Sequence, residues 1–310
     1  MRAVVALGGN ALSPPRATGS ADEMRAALAM TCGHLADLVT SGVGLVLTHG
    51  NGPQVGRILL QQEAAAPEIP AMPMDVCGAE SQGQIGYLLA QALDNALRVR
   101  GSDVRALCLV TQVVVDGRDP AFRRPTKPVG PSYDRPDAQR IAHETGHVFT
   151  IQPDKRWRRV VASPEPVRFV EEGPLLHVIE AGNVVVAAGG GGVPVVDLDG
   201  ELRGVEAVVD KDRSASRLAL LVGADLLLIL TEVEVVQRGF GTPGATPLRH
   251  LTAAEARELL AGGEFPEGSM GPKVDAACDF VENGGPRAVI TSLAKAAEAV
   301  KGEAGTEVVA

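Results

Sequence analysis

Three lysines and three glycine-rich turns are the residues of this 310-residue chain whose types and spacing could do chemistry. Lys127 lies in Pro-Thr-Lys-Pro-Val-Gly-Pro, where prolines stiffen the backbone and fix the direction of the ammonium. Lys211 stands between Asp210 and Asp212 at a predicted helix start, and Lys273 follows Pro272 at another. A lysine at a helix N-terminus opposes the macrodipole, an unfavourable placement unless an anion sits there. The glycines fall where apolar runs end. Gly8-Gly9-Asn10 follows the first run, Gly50-Asn51-Gly52 follows the second and directly precedes a helix signal, and Gly189 to Gly192 follow a third. Glycine at the carboxyl end of a strand lets backbone N–H groups approach an anion closely, and a following helix N-terminus adds a favourable dipole. Four consecutive glycines lose backbone entropy without packing, so Gly189, Gly190 and Gly191 predict a close backbone approach to a ligand. Lysines, backbone donors and a divalent ion together are what phosphoryl transfer asks for, since that chemistry is mainly positioning and charge stabilisation.

Other chemistries fit less well. The sixth position of a G-x-G-x-x-G reading from the glycine cluster is Pro194, and the chain contains no Gly-Lys pair, so neither a dinucleotide fingerprint nor a Walker loop is present. His143-Glu-Thr-Gly-His147 matches the zinc-protease spacing, but Gly146 would interrupt the helix that spacing needs, and His147 leads into the strand-like Val-Phe-Thr-Ile. No residue is assigned as a metal ligand. Asp75, Glu80 and Ser81 read as helix-cap residues. The cysteines Cys32, Cys77, Cys108 and Cys278 are scattered through apolar stretches and read as buried free thiols.

The elements that must hold these residues follow from periodicity. Ala3–Leu7, Val43–Thr48, Leu107–Val115, Val184–Ala188, Leu226–Thr231, Ala288–Thr291 and Val308–Val309 are short, nearly continuous apolar runs, as strands covered on both faces show. Helical patterns lie between them over 22–41, from Pro53 to Ala66, over 80–99 and over 292–301, with a capping box at Thr252-Ala-Ala-Glu255. This alternation predicts an α/β fold with a mainly parallel sheet between helices. Residues 117–159 break the rhythm: rich in Pro, Arg, Lys and Asp, they predict a lid-like insertion with one short helix at 137–145 and without a sheet strand.

A net charge of -9 argues against nucleic acid or anionic membrane as partner, so phosphate affinity must be local. No stretch approaches 18 apolar residues and the start shows no signal-peptide pattern, so a cytoplasmic location is expected.

Taken together, Ala-Leu-Gly-Gly-Asn-Ala-Leu at 6–12, Thr-His-Gly-Asn-Gly-Pro-Gln-Val-Gly at 48–56, Pro-Thr-Lys-Pro at 125–128, Gly-Val-Glu-Ala-Val-Val-Asp-Lys-Asp at 204–212 and Gly-Ser-Met-Gly-Pro-Lys-Val at 268–274 resemble the carbamate kinases of the amino-acid kinase superfamily. The resemblance runs through essentially the whole chain. It implies one three-layer α/β/α domain over 1–310 with 117–159 as a protruding subdomain, a homodimer, a place in arginine metabolism, and Mg-dependent, reversible conversion of ATP and carbamate to ADP and carbamoyl phosphate. It also implies that Gly8, Gly9, Asn10, Gly50, Asn51 and Gly52 hold carbamate and the transferred phosphoryl group, with Lys127 reaching in from the subdomain. Lys211 and Lys273 would neutralise developing charge, and Asp212 would orient them. The nucleotide would lie against Gly189, Gly190, Gly191, Thr231 and Met270, its phosphates carrying the Mg. Two other readings remain open on the residues alone: another small-carboxylate or phosphonate kinase of the same fold, and a non-catalytic nucleotide or carbamoyl-phosphate sensor.

Overall fold

The computed structural model describes residues 1–12, 17–266 and 268–310, and of Asn10 the backbone only. The chain starts with β1 (Arg2–Leu7), a 3-10 turn at Gly9–Ala11, α1 (Ala21–Thr40), β2 (Gly44–His49), α2 (Gly52–Ala65), α3 (Met74–Val99), β3 (Ala106–Cys108) and β4 (Gln112–Val114). Its middle carries β5 (Lys127–Tyr133), α4 (Arg135–Thr145), β6 (Val148–Ile151), β7 (Trp157–Val161), β8 (Arg168–Phe169), α5 (Glu172–Glu180), β9 (Val184–Val186), β10 (Val193–Leu198) and β11 (Glu201–Gly204). Then follow α6 (Lys211–Leu221), β12 (Leu226–Thr231), β13 (Val236–Arg238), β14 (Thr246–Leu248), β15 (His250–Thr252), α7 (Ala253–Ala261), α8 (Gly271–Glu282), β16 (Ala288–Ser292), α9 (Ala296–Val300) and β17 (Thr306–Val309).

An eight-stranded sheet in the order β15-β17-β16-β12-β1-β2-β9-β3 forms the middle layer. It is parallel from β16 to β3, and β17 joins antiparallel to β16. The period of two along each apolar run divides its side chains between two cores. Ala3, Val5 and Leu7 pack with Leu28 of α1, Leu89 of α3 and Ala299 of α9 on one face. Val4 and Ala6 pack with Leu175 of α5, Leu218 of α6 and Phe280 of α8 on the other. This is the three-layer α/β/α arrangement that the alternating pattern predicts. The capping box at Thr252 forms, its hydroxyl accepting from the Glu255 N–H, and a second one at Ser20 and Glu23 opens α1. Cys32, Cys77 and Cys278 are buried free thiols, and Cys108 is half-buried.

Three expectations need correction. The run Leu107–Val115 is two strands in two sheets: β3 edges the large sheet, and β4 joins a four-stranded sheet in the order β11-β10-β4-β8. The break has a cause at Thr111, where the Gln82 side chain accepts from the Thr111 N–H at 2.8 Å and donates to its carbonyl at 3.1 Å. A side-chain amide there stands in for a neighbouring strand. Secondly, α3 starts at Met74 rather than near Glu80, so Ser81 lies inside the helix and does not cap it. Thirdly, residues 117–159 do contain strands. β5, β7 and β6 form a separate three-stranded antiparallel sheet, accompanied by α4. Its signal is weak because β5 reads Lys-Pro-Val-Gly-Pro-Ser-Tyr, with a register shift between Val129 and Ser132 and Gly130 at φ +68°. Two prolines and a bulge hide the alternation that identifies a strand.

Candidate active site

The site is built at the carboxyl ends of β1, β2 and β12, beside the point where the chain leaves β1 for β2 on one side and later returns to place β12 on the other. Parallel sheets collect ligands at such switch points. After β1, Gly8 passes so close to β12 that a Cβ there would lie 2.8 Å from the Leu230 carbonyl oxygen. The turn closes with the Ala11 N–H donating to Gly8 O at 3.2 Å. The Asn10 side chain lies outside the described residues. After β2, Gly50 faces the Lys211 side chain, whose Cδ would be 3.2 Å from an added Cβ, and Gly52 opens α2. Asn51 does not cap α2 with its side chain. Its amide donates instead to Ser81 Oγ at 2.8 Å, and Ser81 donates to Gly78 O at 2.6 Å. The first N–H groups of α2 are thus left for an anion.

The four glycines at 189–192 have a structural use that composition alone does not disclose. An added Cβ would fall 2.4 Å from His49 Nε2 at Gly189, 2.2 Å from Asn51 Nδ2 at Gly190 and 2.1 Å from Val209 O at Gly191. Gly190, Gly191 and Gly192 have φ of +66°, +95° and +90°, and Ala188 shares the left-handed region at +51°. The close approach is therefore to the protein's own loops, and it fixes where His49 and Asn51 stand. His49 is fully buried, with Nδ1 2.9 Å from Gly50 O. Burial chiefly, with Lys211 nearby, pushes its pKa down to about 4 although the Gly50 contact opposes this, so the imidazole is neutral.

The three lysines predicted from sequence converge from three elements onto two carboxylates. Asp210 caps α6, its Oδ1 accepting from the Asp212 N–H at 2.9 Å, while Oδ2 holds Lys127 Nζ at 2.6 Å. Asp212 is 2% exposed and sits between Lys211, paired to its Oδ1, and Lys273, whose Nζ is 3.2 Å from Oδ2. Lys273 also donates to Ser269 O at 3.3 Å. In this cluster of described residues three ammonium groups stand against two carboxylates, an excess of positive charge that favours a bound phosphate or carboxylate. Burial lowers the Lys273 pKa below its ordinary value and Lys211 adds to this, against the pull of Asp212. Burial raises the Asp210 carboxyl, but the Lys127 ion pair and the cap hydrogen bond outweigh it and hold the group below its usual range.

A cavity of about 530 Å3 adjoins the lysines. Gly8, Gly9, Lys211 and Lys273 line its polar end, and Thr231 and Met270 line it further along with Val236, Phe240 and Phe265. A mainly apolar pocket of this size with a cationic end suits a base, a sugar and a phosphate chain. Gly189, Gly190 and Gly191 do not line this cavity, and neither does Lys127. His143 and His147 are not on one helical face, because α4 ends at Thr145 and Gly146 takes φ +74°.

The model of the amino acid kinase family matches residues 1–292. The chain belongs to the amino acid kinase family. Among relatives within this kinase family, it is 48% identical over 309 residues to the carbamate kinase of Pyrococcus horikoshii, covering 99% of this chain and 98% of that one. It is 48% identical over 306 residues to the carbamate kinase of Halobacterium salinarum, covering 99% and 97%. The structure of carbamate kinase from Giardia lamblia bound to AMP-PNP superposes with a TM-score of 0.94 at 39% identity, covering 99% and 98%.

Two residues that organise this candidate site carry little signal in the sequence. Asp210 was legible only as a neighbour of Lys211, although an Asp immediately before a helix start is a cap signal. His49 has no local signal beyond its place after an apolar run, and its position depends on Gly189, far away in the chain.

Proposed function

We propose that this protein is a carbamate kinase, which moves a phosphoryl group reversibly between ATP and carbamate, giving ADP and carbamoyl phosphate. The convergence of Lys127, Lys211 and Lys273 on Asp210 and Asp212, between a nucleotide-sized cavity and the uncapped start of α2, carries this reading. In it, the nucleotide enters the cavity with its phosphates toward Gly8, Gly9, Lys211 and Lys273. Carbamate occupies the Gly50-Asn51-Gly52 loop, held by backbone N–H groups and the dipole of α2. The two lysines on Asp212 stabilise the charge on the passing phosphoryl group, and Asp212 keeps both pointed at it. Lys127 adds a third cation from β5. No covalent intermediate is needed, since positioning and electrostatics suffice for phosphoryl transfer.

Mg fits this donor set as a passenger on the nucleotide. Among the described residues no group of three or more His, Cys, Asp or Glu could hold a metal, and Asp210 and Asp212 are engaged by lysines. When bound, Mg neutralises phosphate charge and orients the leaving group. We further assign residues 117–159 as a lid-like subdomain, the working form as a homodimer, and the place of action as the cytoplasm, in arginine metabolism. No helix among the described residues is long and apolar enough to cross a membrane.

Coupled ATP formation from ADP, Mg and synthetic carbamoyl phosphate tests the activity, and turnover well above the uncatalysed background is expected. Folded protein giving no ATP above that background would sink the reading. An acceptor screen in the ATP-consuming direction separates carbamate from larger acids, and stronger turnover of an amino-acid carboxylate or a phosphonate would replace it.

A further inference from the structure

Residues 206–210, between β11 and α6, form a strap that bends at Glu206 and bridges to the end of the small sheet, Ala207 pairing parallel with Ala162. Glu206, Val208 and Asp210 face the segment 127–162. Glu206 pairs through Oε2 with Arg159 of β7, the Val208 N–H donates to Ala162 O at 2.9 Å, and Asp210 holds Lys127 at 2.6 Å. Ala207 and Val209, between them, are 2% and 0% exposed, and Val209 packs into the core beneath the parallel sheet. The next residue is Lys211. Beside the strap, Val129 and Val161 of the small sheet pack on Val55, Ile58 and Leu59 of α2 and Met74 of α3. Glu206 is anchored at its other oxygen, where Oε1 accepts from the Met74 N–H at 3.3 Å, at the start of α3. A carboxylate at a helix N-terminus is favourably placed there.

We infer that Glu206 and Arg159 form a positioning pair that registers the small sheet against the strap and thereby sets Lys127 and Lys211 relative to one another. The reasoning is geometric. Lys127 is on β5, which pairs directly with β7, with Val129 opposite Arg159. A shift of β7 along the strap therefore displaces Lys127 from Asp210, and a shift of the strap displaces Lys211, the residue that follows it. The ion pair itself is partly open to solvent, with side-chain exposures of 16% for Arg159 and 52% for Glu206. Pairs of this exposure add little to stability, so the consequence of breaking it lies in position. Neither residue lines the nucleotide cavity.

The inference deepens the carbamate kinase reading and rests on it for its kinetic arm, while Trp157 gives a second readout independent of activity. Trp157 is the only tryptophan in the chain and lies in β7, two residues from Arg159. Arg159→Glu and Glu206→Arg, singly and together, are compared with the wild type in ATP formation and in acrylamide quenching of Trp157. Each single reversal is expected to lower kcat about tenfold or more, as small displacements of catalytic groups do, with KM for ADP little changed. Trp157 becomes more quenchable in each, and the double variant recovers most of both properties. Singles with wild-type kcat and quenching overturn the inference, as does a double variant no better than its worse parent. If the reversals do not fold, Arg159→Gln and Glu206→Gln are compared singly: lowered kcat with more quenchable Trp157 is expected in each, and wild-type values of both overturn the inference. A wild type without ATP formation defeats the functional reading, whereas quenching that the swap restores still supports the docking pair.

Discussion

At the scale of single residues, burial makes the site's groups act differently from their free counterparts. Lys273→Ala is expected to lower kcat roughly a hundredfold to a thousandfold, the usual loss when a preorganised electrostatic donor is removed, with the thermal midpoint nearly unchanged. Near-normal turnover would refute its role. Because burial lowers the Lys273 pKa, its ammonium is lost at a lower pH than an ordinary lysine's, so kcat/KM falls on the alkaline side as pH rises through that lowered value. A bound phosphate opposes the shift, which places the alkaline limb of kcat above that of kcat/KM. Lys273→Arg keeps its charge and removes the limb, a difference that a pH–rate profile reads directly. His49 gives the opposite kind of test, on stability. Its folded pKa of about 4 lies below the ordinary value of 6.5, so between those two pH values the unfolded chain binds more protons. Stability falls as pH drops through that window, by up to about 3 kcal/mol for this fully buried group. Urea unfolding at pH 7 and near pH 4 should show a smaller loss in His49→Gln than in the wild type, and equal losses would remove the assignment.

At the scale of elements, charges on three helices tie the layer that carries Lys211 and Lys273. Asp275 of α8 meets Arg257 of α7 at one oxygen and Arg213 of α6 at the other, the latter at 3.5 Å. Arg257 continues to Glu282 at 2.7 Å and Arg213 continues to Glu165. Asp275→Asn leaves two guanidinium groups without their shared anion, and for pairs this exposed the expected loss is about 1 kcal/mol, shrinking as salt is added. Chemical denaturation at low and high ionic strength measures it, and a loss that does not respond to salt would show that packing is responsible. The same scale shows which elements sequence discloses. The helix over 21–40 was legible from its 3.6-residue period and that over 253–261 from its capping box, because each signal lies within a few residues of chain. The division of Leu107–Val115 between two sheets was not, because its cause is Gln82, brought in by a neighbouring helix.

For the whole molecule, the apolar runs determined the sheet, the two cores and hence the three layers, since a strand that is apolar on both faces can be satisfied only between helices. The strand-end glycines and the helix-start lysines also stand in the sequence as local chemistry, and the chemistry expected of them follows from residue type and immediate neighbours. What the tertiary structure decided is which of these groups share a space. It set three lysines from β5, α6 and α8 on two adjacent carboxylates, and it packed Gly189 and Gly190 against His49 and Asn51. Apart from Lys211 with its neighbour Asp212, these pairings join residues that lie some 60 to 140 positions apart, as in Lys273 with Asp212 or Gly190 with Asn51. No local propensity encodes them, because only the packed sheet brings the ends of its strands together.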